Sequence, residues 1–346
     1  METQWIRMDN PEEAERGYQE AARLLKAGEN VAFPTETVYG LGGWAMSDQG
    51  IDGIYRAKGR PSDNPLIVHV YPGFDLSRIA RRIPGPAKQL MDRFWPGPLT
   101  LLLEKTEEVS DRVTGGLPTV AVRMPDHPVA LKMMETAGIA VVAPSANTSG
   151  RPSPTTAAHV YEDLKGRIGL ILDAGPCRIG LESTIVDMTV TPPMVLRPGG
   201  LTMEQIRQVI PDIRMDPGLT PAPDVVPKAP GMKYRHYAPQ AQMYMAGGDP
   251  EEQEKQIRQA LAQAAGQKRG VLTVDEHQTD YDAEVVLSLG SRKEPDTMAA
   301  RLFDALRRFD EEQCEILFAE TIPAEGIGEA FMNRLRKACG GKKIVE

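Results

Sequence analysis

The sequence predicts two α/β domains: a larger N-terminal domain with a twisted mixed sheet, and a smaller C-terminal domain of Rossmann-like α/β type. At 346 residues the chain exceeds what one hydrophobic core usually organises, since domains average roughly 150 residues. Short apolar runs outnumber helical patterns before residue 210, whereas the two alternate after residue 240. A proline-rich segment separates these two patterns.

The N-terminal domain begins with a helix over 11–27, because Asn10, Pro11 and Glu13 form an N-terminal capping pattern and Gly28 supplies the stop. Helical patterns recur near 86–94, 126–137 and 202–210. Apolar runs predict strands at 31–33, 66–70, 99–103, 119–122, 139–143, 169–172, 184–186 and 194–196. Because strands outnumber the helices between them, a mixed sheet fits better than a strictly parallel one.

Seven prolines lie between 211 and 239, a density that disfavours regular structure and predicts an interdomain linker. Beyond it, strands at 242–245, 271–274, 285–289 and 316–318 alternate with helices near 250–265, 295–309 and 326–338. The predicted boundaries are therefore 1–210 for the N-terminal domain, 211–239 for the linker and 240–346 for the C-terminal domain.

Composition restricts the function classes. A net charge of −8 argues against tight sequence-independent binding to phosphate backbones, so direct binding of nucleic acid is expected to be weak or absent. No apolar stretch is long enough to cross a membrane and the first thirty residues lack a signal-peptide pattern, which favours the cytoplasm. Cys177, Cys314 and Cys339 are widely spaced and are interpreted as reduced packing residues.

Common nucleotide and hydrolase signatures are missing from the sequence. There is no GxxxxGK[ST] motif, and the glycines at 40–43 lack the spacing of a dinucleotide-binding loop. The five histidines form no HExxH motif, so no zinc site made of protein ligands is expected, and GxSxG is absent. If this protein binds a nucleotide, another kind of loop must hold its phosphates.

Four polar segments lie at strand ends, where site loops usually occur. Segment 33–42 carries two hydroxyls and a carboxylate, and segment 58–65 carries two cations around Gly59, which suits a polyphosphate. Segment 143–154 is rich in hydroxyls, and segment 181–187 is followed by an arginine at position 197. Taken singly, each segment is also explained as an ordinary turn or helix cap.

Taken together, the strings PTETVYGLG, KGRPSDNPLIVHV, FWPGPLTLLL, TVAVRMPDHP, APSANTSGRPSPT and ESTIVD closely resemble the Sua5/YrdC/YwlC family of threonylcarbamoyl-AMP synthases. The segment 230–239 and the tail after it resemble the long, two-domain Sua5 type. The resemblance implies a YrdC-like N-terminal domain and a nucleotidyltransferase that converts L-threonine, bicarbonate and ATP to threonylcarbamoyl-AMP and pyrophosphate. Magnesium is expected to arrive with the ATP phosphates, and the product to pass to the machinery that makes t6A at position 37 of tRNA.

The resemblance also assigns residues by position. The catalytic tetrad falls on Lys58, Arg60, Ser145 and Asn147. The residues expected to contact ATP are Arg60, Asn64, Thr119, Ser145, Ser153, Arg197, Arg235 and Tyr237. The residues expected to hold L-threonine are Thr35 or Thr37, His69, Arg123, the backbone at Ala143, and Ser183.

Two of these assignments have local alternatives. On the residues alone, His69 is explained as a core histidine, because alternation places it opposite Val68 and Val70; the resemblance favours a ligand role. Arg235 and Tyr237 belong to a basic and aromatic cluster that we interpret as a lid over the nucleotide, with simple interdomain docking as the alternative.

Two other functions compete with the synthase. One is an RNA-binding module, which the acidic charge balance disfavours. The other is a carbamoyl transferase that uses carbamoyl phosphate, but the cysteine-rich segments of such proteins are absent from this sequence. Dependence on threonine and bicarbonate distinguishes the synthase from both.

Overall fold

The computed structural model describes residues 2–60, 64–217 and 237–344. These residues form two compact units. The first contains the described residues up to 217, apart from the short segments Gly150–Pro152 and Ile179–Leu181. Those two segments group with 237–344 in the second unit. The predicted boundaries at 210 and 240 stay a prediction.

The first unit is built on one mixed sheet, which confirms the predicted class. Its strand order is β1-β8-β2-β3-β7-β4-β6-β5-β9-β10-β11, with both parallel and antiparallel neighbours. The strands are β1 (Gln4–Arg7), β2 (Val31–Phe33), β3 (Gly40–Trp44), β4 (Ile67–His69), β5 (Leu99–Glu104), β6 (Thr119–Arg123), β7 (Val141–Val142), β8 (Leu170–Asp173), β9 (Thr184–Asp187), β10 (Met194–Arg197) and β11 (Arg214–Met215).

The helices of this unit are capped by side chains that the sequence places at their starts. The Asn10 side chain accepts bonds from the backbone N–H groups of Glu12 and Glu13, as the capping pattern predicts. The helices are α1 (Pro11–Lys26), α2 (Asp48–Lys58), α3 (Gly85–Phe94), α4 (Asp111–Thr114), α5 (Pro128–Ala137), α6 (Ala157–Leu164) and α7 (Met203–Arg207).

Several elements were not expected from the sequence. Helix α2 was missed because Gly50 and Gly53 lower helix propensity. Position 53 nevertheless requires glycine, since a Cβ there would clash with Asn30 Oδ1. Strand β3 lies inside a segment interpreted only as a site loop, and β1 and α6 were also missed. The prediction that 211–239 lacks regular structure was wrong at β11: neither of its residues is proline, so they pair with β10. Residues 218–236 lie outside the described part of the chain.

The two faces of the sheet carry separate apolar clusters. On one face, α1 and α5 pack over β1, β8 and β2. On the other face, Val68, Leu101 and Val122 belong to the largest cluster of the unit. The first face continues across β4, β6 and β5, because Val141 of β7 lies opposite His69 of β4. That continuation carries the candidate site.

The second unit has a four-stranded parallel sheet of order β12-β15-β13-β14, which agrees with the Rossmann-like prediction. Its elements are β12 (Gln242–Met245), α8 (Pro250–Gln263), β13 (Arg269–Thr273), β14 (Val285–Ser288), α9 (Pro295–Glu311), β15 (Ile316–Ala319) and α10 (Ile327–Ala338). Among the described residues, we find no helix with the length and hydropathy that a membrane span requires. The three cysteines are buried and unbridged.

Candidate active site

The floor of the candidate site consists of two rows of side chains on one face of the first sheet. Strand register places Ile67 and Leu102 on either side of Ala121, and this row belongs to a small apolar cluster apart from the main core. One pleat further along, the same registers place His69 and Thr100 on either side of Arg123. Because alternate residues share a face, a polar row lies beside an apolar one.

His69 is buried at the polar row, and its Nδ1 lies 3.1 Å from the Ile67 carbonyl oxygen. Burial, reinforced by the positive charge of Arg123, lowers the pKa of His69 to about 3. The ring is therefore neutral near pH 7. Since Nδ1 donates to a carbonyl, Nε2 is left as a hydrogen-bond acceptor.

Arg123 is held by three contacts from two segments, the loop that carries Glu36 and Thr37 and the loop at Gly97. Its Nη1 donates to Thr37 Oγ1 at 3.0 Å, and its Nε donates to the Gly97 carbonyl at 3.3 Å. Its Nη2 lies 2.7 Å from Glu36 Oε1 in an ion pair whose atoms are not aligned for a hydrogen bond. Within the described residues, Arg123 Nη2 and both Glu36 oxygens are buried without a hydrogen-bond partner. These atoms retain capacity for a ligand.

The two threonines of this loop differ in their environment. The Thr35 hydroxyl donates to the Val38 carbonyl at 2.7 Å and accepts from the backbone N–H groups of Thr37 and Val38. The Thr37 hydroxyl accepts from Arg123 and lies 2.8 Å from Thr35 Oγ1. Thr37 is therefore the one in direct contact with the polar row, and Thr35 braces the turn.

A second cluster brings together three members of the predicted tetrad. Lys58 ends α2, where Gly59 adopts a left-handed conformation with φ of 61° that suits glycine. The Lys58 ammonium is buried and donates to the carbonyls of Ser145 (2.5 Å) and Asn147 (2.6 Å). The Ser145 hydroxyl in turn donates to Asn147 Oδ1 at 2.5 Å.

The fourth member, Arg60, donates to the Pro65 carbonyl at 3.2 Å. The neighbouring Asn64 is buried, and its Oδ1 has no hydrogen-bond partner within the described residues. An unused buried acceptor beside a cation is consistent with a ligand-binding segment. Residues 61–63 lie outside the described part of the chain.

A third cluster links the fourth predicted segment to β5. Arg197 Nη2 donates to the Ser183 carbonyl at 2.8 Å and to its hydroxyl at 3.2 Å. The Ser183 and Thr100 hydroxyls lie 2.7 Å apart. Ser153 donates to Glu182 Oε1 at 2.6 Å. Ser183 thus reaches the polar row through Thr100.

Two further predicted residues, Thr119 and Ala143, lie outside these three clusters. Thr119 begins β6, about 13 Å from Arg123 along the strand, and lines a cavity of about 440 Å³ with Arg81 and Lys105. The Ala143 amide donates to the Ile67 carbonyl, so it is used in strand pairing.

Tyr237 belongs to the second unit, where its ring stacks on Phe303 at 5.0 Å. Arg235 lies outside the described residues. The lid interpretation that named these two residues stays a prediction.

The metal prediction can be compared with the described side chains. The group of histidine and carboxylate side chains that could hold an ion is Glu254, His277 and Asp280, whose ligand atoms lie within 4.8 Å of one another in the second unit. In the described part of the first unit, no such group is found at the polar row. The expectation that magnesium is carried by ATP phosphates stays a prediction.

The sequence assigned no role to three residues of the candidate site: Glu36, which was noted only as the carboxylate of segment 33–42, Thr100 and Glu182. Glu36 stands between two threonines that were assigned roles. Thr100 is the one polar residue in the apolar run 99–103, and alternation alone would have placed it on the face opposite Leu99 and Leu101. Glu182 precedes Ser183 directly.

Comparison with known proteins identifies the family. The Sua5/YciO/YrdC family model, described as Telomere recombination, matches residues 23–199, and a model described as Threonylcarbamoyl-AMP synthase, C-terminal domain, matches 201–340. A Bacillus subtilis threonylcarbamoyl-AMP synthase is 51% identical over 94% of this chain and 93% of its own, and one from Pyrococcus abyssi is 48% identical over 94% of both. The solved structure of P. abyssi Sua5 complexed with L-threonine superposes with a TM-score of 0.93 at 45% identity over 100% of each chain. The chain belongs to the Sua5/YrdC family of threonylcarbamoyl-AMP synthases, in the long form that carries the Sua5-type C-terminal domain.

Proposed function

We propose that this enzyme makes L-threonylcarbamoyladenylate from L-threonine, bicarbonate and ATP and releases pyrophosphate. The observation that carries the proposal is the polar row, in which a neutral histidine lies opposite a buried arginine with unused hydrogen-bonding capacity. A guanidinium is suited to the carboxylate of an amino acid, and a neutral imidazole nitrogen accepts from a hydroxyl.

In the proposed complex, Arg123 binds the threonine carboxylate, and His69 Nε2 accepts from the threonine hydroxyl. Thr37 and Ser183 contribute hydroxyls from either side, and the Ala143 backbone completes the site. Thr37 is favoured over Thr35 because Thr35 is engaged in its own turn. A pocket that hydrogen-bonds the hydroxyl should reject valine by roughly 10⁴-fold, but serine by only about 10- to 200-fold.

The chemistry has two steps. The deprotonated threonine amine forms a C–N bond with bicarbonate carbon and water leaves, which gives a carbamate. A carbamate oxygen then forms a bond to the α-phosphorus of ATP while the bond to the β-phosphate oxygen breaks and pyrophosphate departs. Such a transfer needs positioning and charge stabilisation rather than a protein nucleophile.

Lys58 and Arg60 are the proposed sources of that stabilisation, with Ser145 and Asn147 completing the phosphate site. Asn64, Thr119, Ser153 and Arg197 are the further proposed ATP contacts, together with Arg235 and Tyr237 at the lid. Magnesium carried by ATP would neutralise charge on the departing pyrophosphate. The product would pass to an enzyme that modifies tRNA.

The test is pyrophosphate release from ATP and magnesium, with and without L-threonine and bicarbonate, coupled to mass spectrometry of the nucleotide product. Release that requires both substrates, with the threonylcarbamoyl adenylate present, supports the proposal. Release driven by carbamoyl phosphate, or retention of RNA without any turnover of ATP, would reject it in favour of the competing functions.

A further inference from the structure

Glu36 is a buried carboxylate whose environment is unusual for a folded protein. Its side chain is 1% exposed, yet neither oxygen has a hydrogen-bond partner within the described residues. Buried carboxylates normally accept several hydrogen bonds, because desolvation of an unpaired charge is costly. What compensates Glu36 is the Arg123 guanidinium, 2.7 Å away.

Some nitrogens of the Arg123 guanidinium are bonded within the protein, and one retains capacity for a ligand. Nε and Nη1 are engaged by Gly97 and Thr37, which fix the plane of the group. Nη2 faces Glu36 without an aligned hydrogen bond. Glu36 thus supplies charge, while the donors of Nη2 are not consumed.

The charge of Glu36 affects the pKa values of neighbouring groups. It opposes the effect of burial, which lowers the pKa of His127, and it adds to the burial that raises the pKa of the Cys177 thiol. With Arg123 at +1 and Glu36 at −1, the buried pair is neutral in sum. A neutral pocket suits a zwitterionic amino acid, whereas a buried arginine without this partner would favour a net anion.

We propose that Glu36 is a positioning and specificity residue that neutralises and orients Arg123, so that the site selects a zwitterionic α-amino acid over inorganic anions such as sulfate or pyrophosphate. This inference rests on the proposed function. It assigns Glu36 no contact with the reacting atoms and makes it act through Arg123.

The first test is Glu36→Gln, which keeps the shape of the side chain and removes its charge. We expect KM for L-threonine to rise about 30-fold or more while KM for ATP changes little, because Arg123 loses the charge that orients it and the site no longer matches a zwitterion in net charge. We also expect sulfate and pyrophosphate to inhibit the variant at concentrations at least about tenfold lower than they inhibit the wild type. Glu36→Asp should restore part of the threonine affinity.

Glu135→Gln is the matched control, since it removes the same charge from an exposed position of α5 in the same unit. Circular dichroism and thermal unfolding of each variant show whether the fold is retained. If Glu36→Gln unfolds, Glu36→Asp is used instead; its shorter side chain moves the charge away from Arg123, so threonine KM and anion inhibition should shift in the same direction by a smaller factor. A folded variant with wild-type threonine KM and wild-type anion inhibition would overturn the inference.

A double-mutant cycle with Arg123→Gln separates action through Arg123 from a direct role. If Glu36 acts through Arg123, the substitution Glu36→Gln has no further effect in the Arg123→Gln background. An undiminished additional effect there would contradict the inference. Calorimetric titration of sulfate measures binding rather than turnover. It therefore still tests the role of Glu36 if the wild type releases no pyrophosphate in response to threonine. That last result would contradict the proposed function alone.

Discussion

Two buried glutamates, one in each unit, illustrate how differently this chain uses a buried charge. Glu320 of the second unit accepts from Thr273 Oγ1 at 2.5 Å and Tyr281 OH at 2.7 Å, and it also pairs with His277 and Arg292. Glu36 of the first unit lies against Arg123 and has no hydrogen-bond partner among the described residues. A carboxylate saturated with donors stabilises its own unit, whereas one left with open acceptor positions belongs to a ligand site.

The same contrast extends to the neighbouring groups. Around Glu320, the hydroxyl of Tyr281 is committed, and burial together with the negative charge of Glu320 raises the pKa of that hydroxyl well above its usual range. Around Glu36, Arg123 Nη2 has unused capacity and His69 is neutral. The polar groups of this part of the first unit therefore retain hydrogen-bonding capacity for a ligand, as the proposed function requires.

The largest expected effect comes from Lys58→Met. The substitution removes the buried ammonium proposed to stabilise phosphate charge and leaves the carbonyls of Ser145 and Asn147 without their donor. We expect the rate of pyrophosphate release to fall by about 10²- to 10³-fold. Initial rates at saturating substrates measure this, with the exposed Lys132→Met as control. A rate within about threefold of the wild type would show that this cluster does not serve the reaction.

Acidification should weaken the first unit through His69. The pKa of His69 is about 3 in the folded chain and 6.5 for an unperturbed histidine, so between these pH values the unfolded chain binds a proton that the folded chain does not. The free energy of unfolding should therefore be unaffected above pH 6.5 and fall by up to about 1.4 kcal/mol per pH unit below it. Denaturant titrations of the wild type and His69→Gln from pH 7 to 4.5 test this. Equal slopes would contradict a buried neutral histidine.

Glu320→Gln should lower the free energy of unfolding of the second unit by about 3 kcal/mol, because His277 and Arg292 lose the charge with which they pair. Threonine KM should stay within about twofold of the wild type. Urea unfolding and steady-state kinetics measure the two quantities on the same preparation. The exposed Glu311→Gln serves as control. A rise in threonine KM without a loss of stability would contradict the assignment of Glu320 to the stability of its own unit.

The smallest effect is expected for Thr100→Val, which removes the hydroxyl that lies 2.7 Å from Ser183 Oγ. The loss of one hydrogen bond should cost about 1 kcal/mol, seen as a roughly fivefold rise in threonine KM. Comparison with Thr106→Val, whose hydroxyl bonds the Arg78 carbonyl at an exposed position, controls for the substitution itself. A KM unchanged by Thr100→Val would place Ser183 outside the threonine site.

The sequence predicted site residues best where a recognisable motif lies directly beside a predicted strand or helix. Ser145 and Asn147 follow the predicted strand 139–143, whereas Lys58 ends a helix that was not predicted and was assigned by the family resemblance. These three of the four tetrad members do meet. Glu36 could not be assigned a role from the sequence, because its proposed role depends on Arg123. The two residues meet only because the turn 34–39 lies over the sheet, and no local pattern predicts that placement. Helix α2 was missed because Gly53 packs against Asn30 and Gly50 packs against the backbone of Trp44, and no local pattern reveals these contacts.

Calorimetric titration of L-threonine into Arg123→Gln and Glu320→Gln tests the central claim most directly. The account predicts that Arg123→Gln weakens threonine binding by about 100-fold or more, while Glu320→Gln binds threonine as the wild type does. Wild-type affinity in a folded Arg123→Gln variant would contradict the assignment of the polar row as the threonine site.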